Sequence, residues 1–186
     1  MNEYLSMMNP IAAELAKTQV AKAEPKVFPS DIEMLYKHLA TKGIEDKLND
    51  AYFDKVGKVW TIGIGSTGKG IEEGVRWSDE EIRSDFENRA MNNRKVLEKQ
   101  YGTMFNAMND NQKMVVQSLL WNAGPAALNK WPKMKAAMQT KDPKKIKEAM
   151  KVFSDEIPTI RKSGGKVVPA LERRRAIEKN IFDEAK

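Results

Sequence analysis

Residues 45–67, EDKLNDAYFDKVGKVWTIGIGST, join a carboxylate-rich segment with turn formers to a β-branched and aromatic run, Val59 to Ile64. The run reads as a strand. Gly57 suits the tight turn of a hairpin whose first arm is Ala51-Tyr52-Phe53. Glu45, Asp54 and Thr61 then converge near a small sheet: one before the first strand, one at its end, one on the second strand.

Two carboxylates and a hydroxyl at a hairpin edge can serve acid/base chemistry on a sugar. One carboxylic acid protonates the leaving oxygen, and a second carboxylate activates water or attacks directly. With 26 acidic residues in 186, such pairs also arise by chance, and the same residues fit a solvated hairpin with charged flanks.

Working outward, Ser30 is placed to cap a helix through Ile32, Leu35 and Leu39, with Asp31 and Glu33 in its first turn and Gly43 at its end. Glu45 follows at the helix exit. Ser66-Thr67-Gly68-Lys69-Gly70 lacks the spacing of a phosphate-binding loop and reads as a mobile surface loop. Ser78 and Glu81 form a capping box, and the apolar period then runs from Ile82 to Tyr101, a helix long enough to bridge two lobes. Asn109 to Gln112 open a further helix, apolar nearly all round from Met114 to Trp121, hence buried, and ended by Gly124. Shorter helices are expected over 128–138 and 143–153, the second capped by Asp142. After a flexible turn at Ser163-Gly164-Gly165, Pro169 starts a last helix whose first turns carry Arg173, Arg174 and Arg175. Cations there oppose the helix dipole, so an acidic partner is expected.

The composition excludes several classes. There is no cysteine, hence no disulfide, thiolate metal site or thiol nucleophile. One histidine, His38, makes a serine–histidine hydrolase or a histidine-rich metal site improbable; it reads as a surface or boundary helix residue. No apolar run is long enough to span a membrane. Residues 111–186 hold 17 Lys and Arg against 8 Asp and Glu, and residues 1–110 hold 15 against 18. A basic half beside an acidic half suits an anionic polymer. Nucleic acid is disfavoured, because aromatics are not interleaved with the basic residues and no binding motif is present.

At the opening stretch a resemblance enters. Glu45, eight residues, Asp54, then Thr61 leading into Ile-Gly-Ile-Gly, with Ala51-Tyr52 shortly before Asp54, resembles the active-site segment of phage-type lysozymes, the endolysins of glycoside hydrolase family 24. A second block, Gly164-Gly165-Lys166 followed by Pro169-x-Leu171-x-x-Arg174-Arg175, resembles that family's C-terminal signature, so the likeness spans residues 30–182. There are departures: Asp54 and Thr61 are one residue further apart than usual, placed as a bulge near Lys58; Asp46 stands where Gly is usual; Ser66 stands where His is often found.

The resemblance implies an α+β, mostly helical, bilobed lysozyme-like fold, with a small sheet lobe (30–77), a connecting helix (78–101), a helical lobe (102–186) and an N-terminal extension (1–29). It implies Glu45 as catalytic acid, Asp54 and Thr61 holding the attacking water, Asn122 and Ser66 at the substrate, and Arg174 or Arg175 reaching the acidic residues near Glu45. The implied activity is hydrolysis of the β-1,4 bond between N-acetylmuramic acid and N-acetylglucosamine in bacterial peptidoglycan, with inversion and no metal or organic cofactor. A monomer is expected, without membrane insertion, held in host cytoplasm until a pore-forming protein releases it to the wall. No signal peptide is read in residues 1–29, which are expected to serve as a virion docking arm or a partly ordered terminus. Two alternatives are a lytic transglycosylase, which needs no water-holding Asp and Thr, and a non-catalytic virion or wall-binding protein on the same scaffold.

Overall fold

In the computed structural model, the described residues are 28–41, 44–45, 47–55, 57–124, 126–163 and 165–184. The extension expected over 1–29 lies outside them, save Phe28 and Pro29, as does Gly43; Phe28 packs against the core.

Helix α1 (Ser30–Leu39) presents Ile32, Leu35 and Leu39 at helical spacing, and all three are fully buried. Ser30 does not cap it. The cap position falls on Pro29, and the Ser30 hydroxyl donates instead to Asp110. The expected cap rested on a local bond; a carboxylate brought in by another helix takes the hydroxyl.

The sheet has three antiparallel strands, β1 (Leu48–Asp54), β2 (Val59–Gly63) and β3 (Ser66–Thr67), in that order. Ser66 and Thr67 therefore belong to the sheet, not to a mobile loop: Ile62 pairs with Ser66 and Thr61 with Thr67. Between β1 and β2 the register runs Tyr52 to Thr61, Phe53 to Trp60 and Asp54 to Val59 without interruption. The extra residue expected as a bulge near Lys58 sits inside the connecting turn, where Lys58 takes φ 53. The irregularity lies in β1, between Leu48 and Tyr52. Residues 75–77 cover part of the outer edge of β1 through Ala51 N to Val75 O (2.9 Å) and Trp77 N to Asn49 O (2.8 Å).

Helix α2 (Asp79–Ala107) starts at the Ser78/Glu81 capping box and kinks at Tyr101 (φ −134, ψ 25), just before Gly102. The expected helix end at Tyr101 thus marks a kink, past which the helix continues. Helix α3 (Asp110–Ala123) opens on an Asn109/Gln112 capping box, buries every residue from Met114 to Trp121, and ends at Gly124, whose φ of 85 suits glycine. Helices α4 (Pro132–Met138) and α5 (Ile146–Glu156) follow, each preceded by a 3-10 turn; Asp142 caps the second turn by accepting from Lys144 N. The expected flexible turn near residue 164 is a short hairpin, β4 (Lys162–Ser163) with β5 (Lys166–Val167), and α6 (Pro169–Asp183) closes the fold.

One hydrophobic core links these helices. It runs from Ile32 and Leu35 through Phe86, Ala90, Leu119 and Trp121 to Met134, Phe153 and Phe182, and includes Ile64 from the β2–β3 turn. Phe86 lies at its centre, edge-on to Tyr36 and tilted on Trp121, each at 5.1 Å. Burying such a side chain is worth roughly 1.5–3 kcal/mol. The sheet is therefore anchored through Ile64 to the α2 and α3 faces that carry Phe86 and Trp121.

Candidate active site

Glu45 sits where α1 has ended and the chain turns toward β1. Its amide donates to Leu39 O at 3.3 Å, and Ile44 N donates to Thr41 O at 3.0 Å, so the turn folds back on the helix end. Its side chain is 19% exposed, and its Oε1 accepts from Arg174 Nη1. On the other side is Gly65: a Cβ built there would lie 3.4 Å from Glu45 Oε2.

Arg174 is held in turn. Its Nε donates to Glu178 Oε1 at 3.0 Å, and its Nη2 to the carbonyl and hydroxyl of Ser118 at 3.2 and 3.1 Å. Arg175 donates to Glu178 Oε2, to Ile160 O at 3.1 Å and to Asn122 Oδ1 at 2.5 Å. Both arginines and Glu178 are buried, Glu178 completely. The acidic partners expected for the arginines of α6 are thus Glu45 and Glu178.

Burial opposes ionisation of Glu178, yet its pKa falls to about 2 under the opposing pull of His38, Arg175, Arg174 and Ser118. His38 Nε2 lies 3.8 Å from Glu178 Oε1 and has no hydrogen-bond partner, so the two arginines and the Ser118 hydroxyl (2.6 Å) hold the charge. Burial lowers the pKa of Arg175, and Glu178 offsets part of that.

Asp54 is half-buried at the end of β1, opposite Val59, while Thr61 faces Tyr52. Asp54 and Thr61 are therefore diagonal neighbours on one face of the sheet, roughly 7–8 Å apart. Gly57 matters here for space: a Cβ on it would come within 2.7 Å of Asp54 Oδ2. Thr61 is 5% exposed, its hydroxyl making a long 3.4 Å contact to Val59 O. β2 thus runs from the level of Asp54, past Thr61, to the turn that faces Glu45.

Of the remaining expected residues, one lies near the end of α3 and the other on β3. Asn122 is exposed at the end of α3 with its carbonyl oxygen held by Arg175. Ser66 is buried, and its hydroxyl donates to Asp85 and accepts from Arg89 at 2.5 Å. Sequence reasoning missed Arg89, Asp85, Ser118 and Glu178. The only available signal for Asp85 and Arg89 was their i, i+4 spacing, which most often marks a surface pair.

The family model described as phage lysozyme matches residues 42–178. Among solved structures, the active form of the P1 phage endolysin Lyz is 22% identical, with 91% of this chain and 92% of that one covered and a TM-score of 0.59. The muramidase domain of SpmX from Asticaccaulis excentricus is 19% identical (84% and 97% covered, TM-score 0.59), and a variant of P22 lysozyme 18% identical (85% and 98%, TM-score 0.59). These likenesses establish a shared α+β, mostly helical fold. No curated protein sequence matches.

Proposed function

From the premise that the chain belongs to the phage lysozyme family, we propose that it is an N-acetylmuramidase in which Glu45 is the general acid and Asp54 and Thr61 hold the attacking water. The family makes the chain a peptidoglycan-lysing, lysozyme-like protein; the bond cut and the roles of single residues are the proposal. The observation that carries it is the placement of Glu45, half-buried between Arg174 and the Gly65 turn of the sheet that bears Asp54 and Thr61 on one face.

In this reading Glu45 gives its proton to the glycosidic oxygen as the bond to the anomeric carbon breaks. Asp54 stays ionised and supports the developing oxocarbenium charge. A water fixed by Asp54 and the Thr61 hydroxyl then attacks the far face of the ring, passing its proton to Asp54. That is the inverting course, which calls for carboxyl groups about 6.5–9.5 Å apart. Asn122 is placed to contact sugar through its exposed amide. Ser66, being buried, would act on the substrate only through the turn it stabilises. Lysines of the basic C-terminal half would attract the polymer's carboxylates.

The role is read as phage lysis of the host, with the enzyme held in host cytoplasm until release to the wall. Among the described residues no helix is long and apolar enough to cross a membrane. The test is clearing of permeabilised cell walls by the parent and by Glu45→Gln, with mass spectrometry of the fragments. Loss of clearing in the variant and reducing muramic ends from the parent are expected. Clearing that survives the substitution discards Glu45 as the acid, and 1,6-anhydromuramic ends would assign a lytic transglycosylase instead.

A further inference from the structure

Three consecutive residues of the β2–β3 turn are gripped by one side chain from α2. Arg89 Nη1 donates to Ser66 Oγ at 2.5 Å and to Ile64 O at 3.3 Å, and Nη2 donates to Gly65 O at 3.4 Å. Its guanidinium carbon lies 4.0 Å from the centroid of the Trp121 ring. Trp121 joins the grip, since its Nε1 donates to the same Ile64 carbonyl at 3.1 Å. Asp85, which accepts from Ser66, lies 3.5 Å from Arg89 Nη1 and balances the charge. An i, i+4 pair on a helix surface needs only that last contact; here most of the guanidinium's donors are turned on the turn instead.

The turn calls for such support. Gly63 and Gly65 both adopt positive φ, 64 and 70, and glycines lose the most freedom on ordering, so contacts from outside must hold the turn. What the turn faces is Glu45: Gly65 is the residue whose absent Cβ would lie 3.4 Å from Glu45 Oε2 and 3.8 Å from Trp121 Nε1. The two carboxyl oxygens are therefore distinct. Oε1 accepts from the Arg174 cation, so the proton of the neutral acid belongs on Oε2, the oxygen against the turn.

We propose that Arg89, assisted by Trp121, is a positioning residue: by fixing Ile64–Ser66 against Glu45 Oε2 it sets the direction in which that carboxyl presents its proton. The inference rests on Glu45 being the general acid. Misplacement of a reacting group by about 1 Å costs on the order of a hundredfold in rate, so the expected effect lies in kcat.

The test compares parent, Arg89→Lys, Arg89→Met, Trp121→Phe, the Met/Phe double variant and Glu45→Gln on soluble peptidoglycan fragments, with Tm measured for each. For Arg89→Met, kcat should fall roughly 10- to 100-fold while KM stays within about threefold. Lys, which keeps the cation but cannot reach three acceptors, should fall between Met and the parent. Trp121→Phe keeps an aromatic ring but loses the indole N–H together with the fused five-membered ring, so Tm read beside kcat separates lost packing from lost grip; it reports even if the Met variant does not fold, and its kcat should drop by about three- to tenfold. The double variant should lose less than the product of the single losses, because both side chains hold the Ile64 carbonyl. Parental kcat in folded Arg89→Met or Trp121→Phe, or a loss confined to KM or Tm, overturns the proposal. Glu45→Gln separates the two failures: if it abolishes turnover while the Arg89 and Trp121 variants do not, only the positioning role falls; if it stays active, the acid assignment falls and takes this inference with it.

Discussion

Glu45 and Arg174 lie 129 residues apart in the chain and meet in a hydrogen-bonded ion pair, Arg174 Nη1 to Glu45 Oε1. The contact ties the turn after the first described helix to the last helix. It also links the exposed end of a buried charge group, Glu178 with Arg174 and Arg175, to the carboxyl proposed to do chemistry.

Removing Arg174 leaves buried Glu178 with one arginine and takes from Glu45 the arginine that donates to its Oε1. Losing one partner of a buried pair costs about 3–5 kcal/mol, far more than the pair is worth against an apolar replacement of the whole group. Arg174→Met should therefore unfold at a denaturant concentration corresponding to a loss of that size. A loss under about 1 kcal/mol by urea titration would show that the network relaxes around the gap.

Glu178 gives the fold an acid-sensitive element. Its folded pKa, about 2, lies below the ordinary value of 4.5. A depressed carboxylate contributes stability that is present above the unfolded value and is lost as pH falls through the folded one, here between about 4.5 and 2. Glu178→Gln should be less stable than the parent at neutral pH, with the gap narrowing as pH falls toward 2. Parallel stability curves from pH 6 to pH 2 would contradict the assignment.

Two glycines should respond with opposite sign to alanine. Gly65 has φ 70 and Glu45 Oε2 beside it, so Gly65→Ala should cost about 1–2 kcal/mol. Gly102 lies in the distal part of α2, where a Cβ would meet only Asn106 Nδ2 at 3.9 Å, so Gly102→Ala should gain about 0.4–1 kcal/mol. Thermal unfolding of the two variants decides both. A destabilised Gly102→Ala would mean that the kink at Tyr101 depends on that glycine.

Gly57→Ala reads the position of Asp54. The new methyl would stand 2.7 Å from Asp54 Oδ2, so that carboxylate has to shift. Stability should change by under about 1 kcal/mol, as for an exposed site, whereas kcat should fall on the order of tenfold or more if Asp54 acts on water. Unchanged turnover would remove Asp54 from the water-holding role.

Much of the fold was legible along the chain because its signals are local. Ser78 with Glu81 and Asn109 with Gln112 satisfy helix-start donors three residues apart, and Gly124 supplies the conformation a helix end needs. Residues Met114 to Trp121 read as buried because they leave no polar face. The misses at Ser30 and Ser66 share a cause: other partners took groups that local rules had assigned. Ser30 turned from its own helix to Asp110, and Ser66 left a supposed loop to pair with Ile62.

The same division runs through the site. Glu45, Asp54 and Thr61 could be named as candidates from residue order and the family likeness it carries, and the arginines of α6 implied acidic partners because cations at a helix start are unfavourable. The sequence alone determined an α+β, mostly helical chain, its helix starts and a hairpin bearing candidate carboxylates, since these depend on neighbours a few residues apart. Only the tertiary structure decided that Arg174 takes Glu45, that Glu178 is the anion locked between two arginines, and that Arg89 turns from its helix to hold the Gly65 turn. Arg174 and Glu45 lie 129 residues apart and Arg89 and Ser66 23, so no local energy selects them among the many polar and charged groups that could have met, while Glu178, three and four residues from its arginines, is locked with them by the burial that packing imposes.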